Sequence, residues 1–180
     1  MSDTRVLVLV GSLRADSFNR RIAVSLRDSA GEGVTIDIAD NLGELPFYNE
    51  DLDGDAAPAQ VTALREQVAA ADRILVITPE YNGTMPAVLN NAIDWASRPF
   101  GKGSITGKPL AVVGTSVGQY GGQWAHDDTR RSAKVAGAAV VDDIVLSHRY
   151  DFGSDPVSDQ ASVQAFADAL EKLTAHELVA

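Results

Sequence analysis

Hydrophobic positions along the chain fall into short dense runs separated by stretches of longer period. Five runs are rich in Val, Ile, Leu and Ala: Val6-Leu7-Val8-Leu9-Val10, Val34-Thr35-Ile36-Asp37-Ile38, Arg73-Ile74-Leu75-Val76-Ile77, Leu110-Ala111-Val112-Val113-Gly114 and Ala138-Ala139-Val140-Val141. The first, third and fourth are almost unbroken, as expected of strands covered by helices on both faces. The second alternates and predicts an edge strand. Between the runs, apolar residues recur at helical spacing. They are Phe18, Ile22 and Leu26; Val61, Leu64, Val68 and Ala71; Met85, Val88, Leu89, Ala92, Ile93 and Ala96; and Val163, Phe166, Ala167, Leu170 and Leu173. Residues 122–136 read as a weaker helix in which Trp124, Asp128, Ser132 and Val135 share a partly apolar face.

Strict alternation of strand and helix predicts an α/β, three-layer sandwich with right-handed crossovers. Five strands suit a parallel sheet of order 2-1-3-4-5, the flavodoxin-like arrangement, with a ligand over the carboxyl ends of strands 1 and 3. The chain has 180 residues and no repeat or linker composition, so one domain over 1–180 is expected. Loops are expected at 41–57, 98–108 and 116–121.

Composition removes several classes of chemistry. Cysteine is absent, which excludes disulfides, thiolate metal sites and thiol catalysis. The formal net charge is −10, which repels phosphate backbones and argues against nucleic acid. No apolar run approaches the roughly 18 residues of a membrane span, and the N-terminal residues lack a signal-peptide pattern, so a cytoplasmic location is expected. The acidic stretch Glu50-Asp51-Leu52-Asp53-Gly54-Asp55 resembles a calcium loop only superficially, because Gln60 stands where a bidentate Glu is needed. It reads as a solvated loop. His126, His148 and His176 are scattered without metal-ligand spacing, and His126 reads as a surface residue.

Three segments carry candidate chemistry, each after a strand. The first, Gly11-Ser12-Leu13-Arg14-Ala15-Asp16-Ser17-Phe18-Asn19, contains neither G-x-G-x-x-G nor a P-loop. It still supplies two hydroxyls, a guanidinium and an amide at Ser12, Ser17, Arg14 and Asn19, ahead of a helix whose first N–H groups face the same point. Gly11 suits a sharp turn and Ser17 a helix cap. The second, Thr78-Pro79-Glu80-Tyr81-Asn82-Gly83-Thr84-Met85-Pro86, holds an Asn-Gly turn that tolerates left-handed backbone. Such a turn directs peptide groups edge-on to a flat ring. Thr84 suits an N-cap with Pro86 in the first helical turn. The third, Gly114-Thr115-Ser116-Val117-Gly118-Gln119-Tyr120-Gly121-Gly122, has four glycines in nine residues, consistent with backbone close to a ligand or with a flexible loop.

These segments resemble the NADPH-dependent FMN reductases, flavodoxin-like enzymes that include quinone, chromate and azo-dye reductases. The resemblance rests on GSLRADSFN, on LPFYNEDLD (45–53), on TPEYNGTMPAVLNNAIDWASRP (78–99) and on GKPLAVVGTSVGQYGG (107–122). It implies that Ser12, Arg14, Ser17 and Asn19 bind the FMN phosphate. It further implies that Pro79, Glu80, Tyr81, Asn82 and Gly83 meet the isoalloxazine edge, and that Ser116, Gly118 and Gly121 border its other side. NADPH or NADH would be the hydride donor, with a quinone, chromate, azo dye or flavin as acceptor, in a ping-pong sequence. A homodimer or dimer of dimers is implied, for which Asn90, Asn91, Asp94 and Trp95 suit an interface face. Arg98 or Lys102 is a candidate for a 2′-phosphate.

The sequence departs from the family pattern at Val117, where a proline is expected, and at Gln123-Trp124-Ala125-His126, where an Arg-Ala-Gln helix start is expected. A flavodoxin-type electron carrier serving protein partners is the competing reading of the same fold. A phosphoacceptor receiver domain is excluded, because Thr78-Pro79 and Gly11-Ser12 stand where it needs acidic residues.

Overall fold

The computed structural model describes residues 3–54 and 57–177. Five strands, β1 (Thr4–Val10), β2 (Val34–Ala39), β3 (Arg73–Ile77), β4 (Pro109–Ser116) and β5 (Ala139–Arg149), form one parallel sheet of order β2-β1-β3-β4-β5. This is the flavodoxin-like order expected from the alternation of strand and helix. The helices are α1 (Phe18–Asp28), α2 (Ala59–Ala70), α3 (Ala87–Ala96), α4 (Gln123–Val135) and α5 (Gln160–Ala175). Among the described residues, no helix is long and apolar enough to cross a membrane.

Successive strand residues point to opposite faces, so a strand covered twice must be apolar throughout. Leu7, Leu9, Ile74, Val76, Leu110 and Val112 face a core completed by α2, α3 and the small residues of α4. Val6, Val8, Leu75, Ile77, Ala111 and Val113 face the second core, built from α1 and α5. β2 lies at the sheet edge, as its alternation predicts, and its outward Asp37 pairs with Arg5 at 3.1 Å.

Two elements differ from expectation. β5 runs from 139 to 149 rather than ending near 141. Its pairing with β4 shifts between Leu110 and Val112, where the extra residues around Asp142 and Asp143 are looped out. Polar residues in an edge strand with a displaced register mask the period that sequence reading depends on. In α4, the face bearing Trp124, Asp128, Ser132 and Val135 turns outward; Val135 is 82% exposed. The buried face is Ala125, His126, Thr129, Arg130 and Ala133. Most polar groups there find internal partners: Thr129 donates to the Ala125 carbonyl at 2.7 Å, and Arg130 donates through a terminal nitrogen to the Val112 carbonyl at 2.7 Å beside the displaced register, while its buried Nε has no hydrogen-bond partner among the described residues.

Candidate active site

The three segments converge at the carboxyl ends of β1, β3 and β4, and close packing of backbone explains their glycines. Gly11 donates its N–H to the Ile77 carbonyl at 3.0 Å, and a Cβ there would collide with the Thr78 hydroxyl. A Cβ on Gly114 would collide with the Thr78 carbonyl and stand 2.6 Å from His126 Nε2. Gly11 is therefore needed for close approach rather than for a turn, since its φ is ordinary. Thr78, fully buried, is the point around which the strands close.

The first segment is open. Ser12 is buried, accepts a long hydrogen bond from the Arg14 N–H (3.4 Å) and lies 3.5 Å from the Tyr81 hydroxyl, joining the first segment to the second. Arg14 is exposed, and its guanidinium has no ion-pair partner among the described residues. Ser17 occupies the N-cap of α1 in extended conformation, but its hydroxyl caps nothing. A cleft of about 250 Å³ beside this segment is lined by Ser12, Leu13, Arg14, Arg20, Asp40 and Leu42, with Arg20 and Asp40 paired at 2.6 Å. Asn19 has a different placement. It is buried, its amide donates to the Thr115 carbonyl (3.0 Å), and its oxygen accepts from the Thr115 N–H (2.9 Å). This two-way clamp ties α1 to the end of β4.

The second segment is a tight hairpin. Tyr81 and Thr84 exchange two backbone hydrogen bonds of 3.1 Å across Asn82 (φ +53) and Gly83 (φ +76). Two successive left-handed residues are what an Asn-Gly turn of this kind requires. Thr84 does not cap α3, whose cap position is Pro86; its hydroxyl donates to Asp128 of α4 instead. Glu80 likewise turns to α4, where its carboxylate accepts the Ala125 N–H at 3.2 Å. The first turn of α4 carries no acidic residue of its own, so Glu80 supplies the negative end that complements the helix.

The third segment is closed on itself. Ser116 accepts the Gly118 N–H at 3.2 Å. Gly121 (φ +61) and Gly122 (φ +95) turn the chain into α4, and a Cβ on Gly121 would stand 2.5 Å from the Ser147 carbonyl oxygen. Gly118 is different: it is exposed, and the nearest atom to its notional Cβ is Ser116 Oγ at 3.5 Å.

His126 is not a surface residue. It is fully buried, with Nε2 2.9 Å from the Thr78 carbonyl and Nδ1 2.6 Å from Ser147 Oγ. A carbonyl only accepts, so the proton of the neutral ring sits on Nε2 and Ser147 donates to Nδ1. Burial lowers the pKa of His126 to about 4. The sequence signal that marks this residue is the spacing of the small residues Ala125, Thr129 and Ala133 around it.

Other expected residues also find different partners. Trp95 and Asn91 face inward: Trp95 Nε1 donates to the Pro46 carbonyl (2.8 Å), and Asn91 accepts the Tyr48 N–H (2.8 Å). They pin the 45–48 loop, so only Asn90 and Asp94 of the expected interface face remain partly outward. Asp53 is not solvated; it pairs with Arg65 at 2.8 Å, which holds its carboxyl below the usual range, and with Arg98 at 3.5 Å. Arg98 is thereby committed, whereas Lys102 is exposed. Asp55 lies outside the described residues. No group of carboxylates and histidines suited to a metal ion occurs among the described residues. A cleft of about 800 Å³ lies between the hairpin and the outward face of α4, bordered by Tyr81, Met85, Asn90, Asp128 and Arg131. It is not the point where the three segments meet.

The profile of the family described as NADPH-dependent FMN reductase matches residues 4–151. A 2-hydroxy-1,4-benzoquinone reductase from a Burkholderia species is 44% identical over 145 residues, covering 81% of this chain and 75% of that protein. An NAD(P)H-dependent FMN reductase of Pseudomonas aeruginosa is 45% identical over 122 residues, covering 66% of this chain and 63% of that protein. The solved structure of FerB, a flavoenzyme NAD(P)H:(acceptor) oxidoreductase from Paracoccus denitrificans, superposes with a TM-score of 0.82 at 35% identity, covering 95% of this chain and 97% of that chain.

Proposed function

The chain belongs to the NADPH-dependent FMN reductase family, and from that premise we propose that it reduces a quinone at the expense of a reduced nicotinamide, with residues 1–180 acting as one FMN-binding domain. The balanced reaction is NAD(P)H + H⁺ + quinone → NAD(P)⁺ + hydroquinone. FMN, when bound, supplies the two-electron relay between the two substrates.

The observation that carries this reading is the open first segment meeting the Asn-Gly hairpin through Ser12 and Tyr81. An uncapped helix start, an unpaired guanidinium and two hydroxyls fit a phosphate group. In this reading Ser12, Arg14 and Ser17 hold the FMN phosphate, and Asn19 holds the segment in place through Thr115. Pro79, Glu80, Tyr81, Asn82 and Gly83 present backbone to the isoalloxazine edge. Glu80 does so while its side chain braces α4. Ser116 and Gly118 border the other side, and Gly121 shapes the turn against β5.

One pocket serves donor and acceptor in turn, so the reaction is ping-pong. The protein works in the cytoplasm as a homodimer or dimer of dimers; the exposed Val135 and the half-buried Asn90 and Asp94 on the α3–α4 face support such an assembly. The test is the visible spectrum of the purified protein under anaerobic titration with NADPH, then with NADH. A flavin spectrum that bleaches with either nicotinamide supports the reading and ranks the two donors. A yellow protein that bleaches with neither sinks it in favour of an electron carrier. Initial rates at varied donor and quinone should give parallel double-reciprocal lines. Intersecting lines would mean that both substrates are bound together.

A further inference from the structure

We propose that Trp124, backed by Tyr120, is the platform on which a planar, uncharged, electron-poor ring of the quinone class stacks to receive electrons; this rests on the reductase reading above. Trp124 is 56% exposed and Tyr120 49% exposed, although both carry large apolar rings. Their centroids are 5.5 Å apart, tilted by 41°. Exposed apolar surface of this size in one place is the informative exception in a soluble protein.

The rings stand at the site. The edge of the Trp124 indole lies 3.4 Å from where a Cβ of Gly83 would be, so it rests on the left-handed residue of the hairpin. Tyr81, in that same hairpin, is also half-exposed and reaches Ser12 of the first segment.

The platform is rigid. Gly121 and Gly122 turn tightly just before it, Glu80 caps the helix at Ala125, and His126 is buried two residues on. An aromatic ring already held in place loses little freedom when a second ring stacks on it.

Charge selects among acceptors. The carboxylates around Trp124 are engaged: Glu80 with the Ala125 N–H, Asp127 with Arg130, and Asp128 with Thr84 and Arg131. These pairings occupy the nearby cations as well. With a net charge of −10 on the chain, a neutral ring is favoured here over an oxyanion.

The test compares FMN-loaded parent, Trp124→Leu and Trp124→Phe. The acceptors are 1,4-naphthoquinone, which can stack, and ferricyanide, which cannot. Trp124→Leu should lower the ratio of kcat/KM for naphthoquinone over ferricyanide about 5- to 10-fold through KM, the scale of one aromatic stack, and Trp124→Phe should restore most of it. Binding is read separately by emission. The chain has two tryptophans, and Trp95 is fully buried, so saturable quenching by naphthoquinone reports on Trp124. Quenching should saturate in the parent, and strictly linear quenching there overturns the proposal. Saturation that persists unchanged in Trp124→Leu overturns the proposal. So does an equal loss of both acceptor rates, or a nicotinamide bleaching rate that falls as far as the naphthoquinone step. A parent that shows saturable quenching but is bleached by neither nicotinamide supports the stacking platform while breaking the reductase reading.

Discussion

Helices α1 and α4 both begin at the carboxyl edge of the sheet, and neither has an acidic residue in its first turn. Their ends are treated in opposite ways. The start of α4 is closed from within: Glu80 reaches across from the hairpin to accept the Ala125 N–H, and His126 fills the space beneath, bonded on both nitrogens. The start of α1 has no such partner. Ser17 sits at the cap position without capping, and the exposed charges just before it are the Arg14 guanidinium and the Asp16 carboxylate, neither of them ion-paired among the described residues. An anion held between the free N–H groups of the helix start and the Arg14 guanidinium would be favoured by both. The contrast separates an end of the site that the protein closes from within from one that, in the proposed reading, takes the phosphate.

The largest expected effect tests the closed end. Gly114→Ala places a methyl group against the Thr78 carbonyl and His126, where backbone cannot yield, and should destabilise the fold by about 3 kcal/mol. Gly118→Ala, with open space around it, should change stability by less than about 0.5 kcal/mol. Urea denaturation of the two variants checks this, and similar stabilities would remove the distinction between packed and open glycines.

Next is the pH dependence of His126. Its folded pKa of about 4 lies below the ordinary 6.5, so the unfolded chain binds the proton more readily. Its contribution is fully present above pH 6.5 and is lost as pH falls from 6.5 towards 4, by about 3 kcal/mol over that window. His126→Gln keeps a donor for Thr78 and has no such titration. Its stability should therefore fall less steeply below pH 6.5 than that of the parent. Parallel curves for the two proteins would show that His126 takes up its proton as readily in the folded protein as in the unfolded chain.

The open end answers to Arg14. Arg14→Ala removes a charge-assisted contact worth about 1.5–3 kcal/mol, so FMN affinity should fall roughly 10- to 100-fold. The melting temperature without FMN should stay the same, because Arg14 has no ion-pair partner among the described residues. An unchanged FMN titration would make Arg14 a solvated loop residue. The smallest effect is at Glu80. Glu80→Ala removes the cap on α4 and should lower stability by about 1 kcal/mol. A larger loss of FMN affinity than of stability would mean that Glu80 also shapes the hairpin towards the flavin.

Much of this molecule was open to sequence reading because its causes are local. Two-sided burial makes β1, β3 and β4 continuous in Val, Ile and Leu, and the Asn-Gly pair forces its own left-handed turn. The order of elements, the sheet topology and the three ligand-type segments follow from such patterns and from the family resemblance they carry. What the tertiary structure decided are partners distant along the chain: Asn19 with Thr115, His126 with Thr78 and Ser147, Glu80 with Ala125, and Asn91 and Trp95 with the 45–48 loop. Periodicity records whether a side chain is buried only when burial is apolar. A buried His, Arg or Asn is satisfied by hydrogen bonds to groups distant along the chain, and even where small neighbours such as Ala125, Thr129 and Ala133 mark the buried face, they do not name those partners. For that reason His126 reads from the sequence as a surface residue, whereas it is fully buried, and the partly apolar face of Trp124 and Val135 is the exposed one. The course of β5 past its displaced register likewise became clear only once β4 lay beside it.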